Sequence, residues 1–169
     1  MTSDESLMLE FQRGSREAFD ELFARYRQAL YGYFRRRLAD RERAEDLTQE
    51  TFLAVIRATE RYQPRALVRT YLFGIAIELL SMERRRLARA DVPAEMVRDE
   101  RSDETLWVRQ ALDRLDPVER EILMLREYEQ LSYAEIADLL RLPLNTVRTR
   151  LFRSRMALRS HLEPVKNEA

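Results

Sequence analysis

Apolar residues return at helical spacing along most of the chain, and the pattern predicts an all-α protein. From Ser15, the residues Ala18, Phe19, Leu22, Phe23, Tyr26, Leu30, Tyr33 and Phe34 fall on the inner side of one long helix reaching about Leu38. After a break near Asp40, a second helix from about Ala44 to Thr59 turns Leu47, Thr51, Val55 and Ala58 or their neighbours inward. A third runs from about Arg69 to Arg86, and the three make a bundle. The rhythm stops over Ala88–Asp103, where acids, a proline and few large apolar residues read as a flexible linker. Beyond it, Leu106–Leu115 form one helix. Asp116-Pro117-Val118-Glu119 starts another, with an N-cap Asp, a Pro at the first helical position and a Glu three beyond the cap. Ser132-Tyr133-Ala134-Glu135 is a capping box opening a short helix with Ile136, Leu139 and Leu140 inward, and Pro143 stops it. Asn145 or Thr146 is then expected to cap a last helix that buries Val147, Leu151, Ser154 and Leu158. No strand signal and no repeat appears. The expected architecture is two small helical domains, 1–87 and 104–163, with a linker at 88–103 and a tail at 164–169.

Composition narrows the chemistry. The 169 residues are 45% hydrophobic with 3 Gly and 5 Pro, as suits a folded helical chain. With no Cys and 1 His, thiol nucleophiles, disulfides and thiolate metal sites are excluded, and a His-ligated metal lacks its ligands. His161, near the end of the last helix, reads as a helix-terminal or packing residue. No residue set makes a credible catalytic centre, so the reading is non-enzymatic, without metal or cofactor. The acidic start Met1-Thr2-Ser3-Asp4-Glu5 is unlike a signal peptide, and no apolar run approaches the roughly 20 residues that span a bilayer, so a cytoplasmic location without membrane insertion is expected.

Net charge is zero, with 30 basic and 30 acidic residues, but their distribution is uneven. Arg61–Ala90 carries seven Arg against two Glu, Asp91–Glu121 five Arg against ten acids, and Arg141–Glu163 six Arg against one Glu. Phosphate neutralisation is local, so two basic islands suit two stretches of one duplex. The second coincides with the helix after the short turn. There Arg148, Arg155 and Arg159 gather on a flank, Arg150 and Arg153 lie further round, and Thr149 and Phe152 complete an outward surface. Arginine pairs bidentately with guanine in the major groove, Thr149 can meet a thymine methyl, and the other guanidiniums can hold phosphates. The same run also fits a solvated arginine face on an ordinary helical hairpin.

These residues carry a family resemblance. Ala44-Glu45-Asp46-Leu47-Thr48-Gln49-Glu50-Thr51-Phe52-Leu53, Leu72-Phe73-Gly74-Ile75-Ala76 and Glu83-Arg84-Arg85-Arg86 mark the first domain. Leu115-Asp116-Pro117-Val118-Glu119-Arg120-Glu121, Leu131-Ser132-Tyr133-Ala134-Glu135-Ile136-Ala137 and Asn145-Thr146-Val147-Arg148-Thr149-Arg150-Leu151-Phe152-Arg153-Ser154-Arg155 mark the second. In this order and spacing the whole chain resembles a bacterial RNA polymerase sigma factor of the extracytoplasmic-function type in the sigma-70 family. The resemblance implies an alternative sigma factor that binds core RNA polymerase and promoter DNA, with an anti-sigma factor as a further partner. The first domain would dock on the polymerase clamp through Asp46, Gln49, Glu50 and Leu53, which share one helical face. By spacing alone that face also fits an acidic solvated surface.

The first domain would also open the minus-ten element, which needs rings, small pockets and cations along one unstacked strand. Tyr62, Arg65, Arg69, Tyr71 and Glu78, with Arg84, Arg85 and Arg86 behind them, are the implied residues, and the loop 62–68 the implied pocket for a flipped base. Tyr71 equally fits the bundle core. Arg148, Thr149, Arg150, Phe152, Arg153 and Arg155 would read the minus-thirty-five element. The chain departs from the family pattern at three positions: Glu78 where a polar Asn is frequent, Tyr71 where Trp is usual, and Arg141 at the turn where glycine is common. Glu78 leaves open an adaptor or antagonist that docks on polymerase without opening promoters. A dimeric helix-turn-helix regulator acting without polymerase is a third reading, which leaves the first domain unexplained.

Overall fold

The computed structural model describes residues 1–91 and 103–163. It divides into two compact units, Met1–Asp99 and Glu100–Ala169. All regular structure among the described residues is helical.

The first unit begins with a helix that the sequence reading passed over. α1, Asp4–Gln12, opens on Ser3, whose Oγ accepts from the Ser6 N–H at 3.1 Å, and places Asp4 and Glu5 in its first turn, where they complement the helix dipole. It is short and its acidic front hides its apolar residues, yet Leu7 and Met8 are buried. Gly14, at φ 104, turns the chain into α2, Arg16–Arg37, a conformation that side-chain-bearing residues rarely adopt. α2 is capped by Ser15 as expected. α3, Arg41–Ala58, begins three residues before the predicted start, because Asp40 accepts from the Glu42 and Arg43 N–H groups at 2.9 and 3.2 Å. A 3₁₀ turn, Thr59–Arg61, ends it. α4 runs Val68–Arg89, so residues 88 and 89, assigned to the linker, are helical. The helix at the far side of the linker likewise starts at Asp103; Ala90 caps α4, and residues 92–102 of the predicted linker lie outside the described residues.

Two apolar groups hold this unit. One joins Leu7 and Met8 of α1 to Ala18, Leu22, Val55, Tyr62, Val68 and Leu72. In the other, Tyr33 meets Phe34 and Phe73 edge-on at 5.3 and 5.8 Å. Leu30, Leu47, Ala76 and Leu80 are also buried in this unit.

The second unit comprises α5 (Asp103–Asp113), α6 (Pro117–Glu127), α7 (Tyr133–Leu140) and α8 (Leu144–Leu162). Asp116 caps α6 through the Val118 and Glu119 N–H groups, and the capping box at α7 is complete, with the Ser132 N–H donating to Glu135 at 2.6 Å and the Glu135 N–H to Ser132 Oγ at 3.1 Å. Arg141 adopts the left-handed conformation, φ 54 and ψ 46, so the turn keeps its geometry without a glycine. The predicted Asn145 or Thr146 cap is corrected. α8 starts at Leu144 with Pro143 in the cap position and no side-chain cap bond, since the proline ring carries no acceptor; the ring instead fixes φ at −59° at the helix entry. Ile122, Leu125, Leu131, Ile136, Val147 and Leu151 form the core. Each such buried aliphatic contributes roughly 1.5–3 kcal/mol. The predicted tail, 164–169, lies outside the described residues.

Candidate nucleic-acid interface

On α8, Val147, Leu151 and Ser154 are buried, and Leu158 is half-buried. That fixes the rotation of the helix and turns Arg148, Thr149, Phe152 and Arg153 outward, the Phe152 ring at 67% exposure. Thr149 Oγ1 donates to the Asn145 carbonyl at 2.9 Å, leaving its methyl and a lone pair outward. Arg150 is half-buried and 3.5 Å from Asp116, and Arg155 grips Glu127 at 2.7 Å through Nη2, a bond that raises its pKa further above the ordinary value. These two are therefore engaged with the unit itself, whereas Arg148 and Arg153 stand on the open face; Arg148 makes a long contact to Asn145 at 3.4 Å.

In the first unit the loop between the 3₁₀ turn and α4 presents Gln63, Pro64, Arg65, Ala66 and Leu67, all exposed. Tyr62 is not among them. Its ring is 7% exposed within the core around α1, 5.4 Å from the Tyr71 ring, and its hydroxyl finds no protein partner. Burial raises its pKa, and Glu5 adds to the rise. The reading of Tyr62 as a ring displayed to DNA is corrected: an aromatic at a loop boundary gains more by entering the adjoining core. Tyr71 is half-buried against the same core, and burial raises its pKa as well. Arg65 and Glu78 are exposed, and Arg69 is half-buried.

Arg84, Arg85 and Arg86 are exposed on α4, but Arg86 is tied to Glu83, 3% exposed, which accepts from Arg86 Nη2 at 2.7 Å and from Arg43 Nε at 2.9 Å. Burial alone would raise the Glu83 pKa; the bonds from Arg86 and Arg43 outweigh it and hold the group below its ordinary value. Arg43 also lies 3.8 Å from Asp46 and 3.5 Å from Glu50. One guanidinium thus joins a buried carboxylate to the acidic face of α3. The sequence reading did not single Arg43 out, although its place three residues before Asp46 and seven before Glu50 puts it on their side of the helix. On that face Asp46, Gln49 and Leu53 are exposed, Leu53 at 44%, and Glu50 is half-buried. Ile56, one turn on, extends the face with an equally exposed apolar side chain.

Among the described residues, no helix is long and apolar enough to cross a membrane. Residues 22–90 match the family Sigma-70 region 2, and residues 105–158 match Sigma-70, region 4. The RNA polymerase sigma-H factor of Pseudomonas aeruginosa is similar at 33% identity, over 98% of this chain and 97% of that protein. The ECF RNA polymerase sigma factor SigC of Mycobacterium tuberculosis is 32% identical, over 94% and 91%. The chain belongs to the extracytoplasmic-function sigma factors of the sigma-70 family. The structure of CnrH, in complex with the cytosolic domain of CnrY, superposes on this sigma factor with a TM-score of 0.74 at 27% identity, over 95% of this chain and 97% of that one. The sigma factor is a transcription initiation factor that binds core RNA polymerase and directs it to promoter DNA.

Proposed function

We propose a division of labour between the two units. Residues 1–87 dock on the polymerase clamp and open the minus-ten element, 88–103 link, 104–163 read the minus-thirty-five element, and 164–169 form a tail. The face of α3 with Asp46, Gln49, Glu50 and Leu53 meets basic residues of the clamp, its carboxylates accepting charge-assisted bonds and Leu53 supplying apolar contact. Arg65, Arg69, Tyr71, Glu78, Arg84, Arg85 and Arg86 act along the minus-ten strand, with Tyr62 supporting the loop from beneath. At the upstream element Arg148 and Arg153 reach base edges and Thr149 and Phe152 make apolar contact, while Arg150 and Arg155 hold phosphates after exchanging their intramolecular partners.

The observation that carries this reading is the outward set Arg148, Thr149, Phe152 and Arg153 on a helix whose opposite side is fully committed to the core. A partner protein of anti-sigma type holds the factor inactive, a reading supported by the solved complex of the similar chain CnrH with a domain of another protein. The factor acts in the cytoplasm, where polymerase and promoters meet. Transcription by sigma-free core polymerase over a library of double-stranded promoters, with and without the protein, tests the reading. New starts that require the protein and share two separated sequence elements are expected. Binding to core polymerase without any new start would overturn it.

A further inference from the structure

We propose that Glu5 and Gln12 of α1 are positioning residues for promoter opening: from one helix they pin both ends of the exposed loop Gln63–Leu67. The inference rests on the assignment of that loop to the minus-ten element.

At the entry to the loop, the Gln12 side-chain amide donates to the Thr59 carbonyl at 2.9 Å, the Tyr62 carbonyl at 3.1 Å and the Glu60 carbonyl at 3.4 Å. The Thr59 carbonyl also accepts from the Tyr62 N–H at 3.1 Å, the bond that closes the 3₁₀ turn, so Gln12 gathers the carbonyls at the end of that turn. At the exit, the Val68 N–H that opens α4 donates to Glu5 Oε1 at 3.0 Å. Leu67 occupies the cap position of α4 and offers no side-chain bond, so Glu5 does from a distant part of the chain what a local Ser or Asp does at the other capped helices. Glu5 and Gln12 are seven residues apart, two helical turns, and so lie on one side of α1. Apolar contacts repeat the arrangement. Tyr62 and Val68, immediately outside the exposed stretch, are buried in the core that contains Leu7 and Met8 of α1.

The five residues between these anchors make a short exposed span with both ends fixed. A loop held this way meets an unstacked base already in its binding shape, whereas a loop that samples other shapes binds with an affinity reduced by the competent fraction. α1 therefore contributes to strand opening without touching DNA.

The test uses full-length protein in holoenzyme on the strongest promoter recovered from the library, with strand opening followed by a fluorescent base analogue. The minus-ten position whose base removal most slows the wild type marks the captured base. Glu5→Ala with Gln12→Ala is expected to open the intact promoter about tenfold more slowly. On the same promoter carrying an abasic nucleotide at the captured position, the variant and wild type are expected to agree within about twofold, since the step that the anchors serve is already gone. Glu5→Gln, which keeps an acceptor for the Val68 N–H, should restore most of the rate, and amide exchange at Val68 should quicken in Glu5→Ala but not in Glu5→Gln. Affinity for core polymerase should be unchanged.

Equal losses on the intact and abasic promoters, or a parallel loss of polymerase affinity, would mean a general structural role and overturn the proposal. If the double variant does not fold, the single variants carry the same comparison, each about threefold slower on the intact promoter. If base removal slows the wild type but the variants open at the wild-type rate, only the positioning role fails. If removing the base at every minus-ten position leaves the wild type unchanged, the loop assignment itself fails and this inference with it.

Discussion

Individual arginines on α8 look alike in sequence and differ in circumstance. Arg148 and Arg153 face outward, while Arg155 is held by Glu127 at 2.7 Å. Arg148→Ala or Arg153→Ala should weaken holoenzyme binding to the upstream element by about 1–3 kcal/mol and relax the base preference at one position. Arg155→Ala should weaken binding evenly across sequences and by less, as electrophoretic titration over a set of single-base variants would resolve. The spacing of about 100° per residue made the outward positions legible, but the partners Asp116 and Glu127 were not, because they belong to other parts of the unit. Glu83 shows the same limit: its neighbours in sequence are arginines on an exposed run, yet it is buried between Arg43 and Arg86. Its folded pKa lies below the ordinary 4.5, so its contribution to stability is complete above that value and is lost as pH falls through the folded pKa. Thermal melts of wild type and Glu83→Gln should therefore differ by a constant amount near neutral pH and converge as pH falls through the folded pKa.

Some helix starts were readable from a polar side chain that caps its own helix, though the caps of α1 at Ser3 and of α3 at Asp40 were not read. Ser15, Asp116 and Ser132 all cap in this way, and α2, α6 and α7 begin there. Other starts are made differently. α8 relies on the geometry of Pro143 and starts before its predicted cap, whereas α4 starts within one residue of its predicted position, although the carboxylate from α1 that caps it is announced by no local pattern. α1 itself was missed because nine residues with two leading acids give too little amphipathic signal. The turn between α7 and α8 follows its family plan at a cost. Arg141 sits at φ 54, where a side chain crowds the following carbonyl, so Arg141→Gly should raise stability by up to about 1 kcal/mol, read as an increase in Tm. An unchanged or lowered Tm would mean that the arginine side chain contributes more than the strain it causes.

Across the whole molecule, zero net charge coexists with basic stretches suited to DNA and an acidic helix face suited to polymerase. Arg84→Ala and Arg85→Ala should each reduce the salt dependence of holoenzyme binding to promoter DNA by about one unit of logarithmic slope, without changing the preferred sequence. Asp46→Lys with Glu50→Lys should instead lower affinity for core polymerase while helicity by circular dichroism stays constant; normal docking would remove that face from the interface. The division of roles also bears on how the protein is handled. The match to Sigma-70 region 2 begins at residue 22, yet the fold of that unit begins at Asp4. A fragment trimmed to the matched boundary would bare the apolar side of Leu22, Val55 and Leu72 and leave α4 without its cap. Such a fragment would be expected to aggregate on purification, and its failure to open a promoter would then say nothing about the residues it retained.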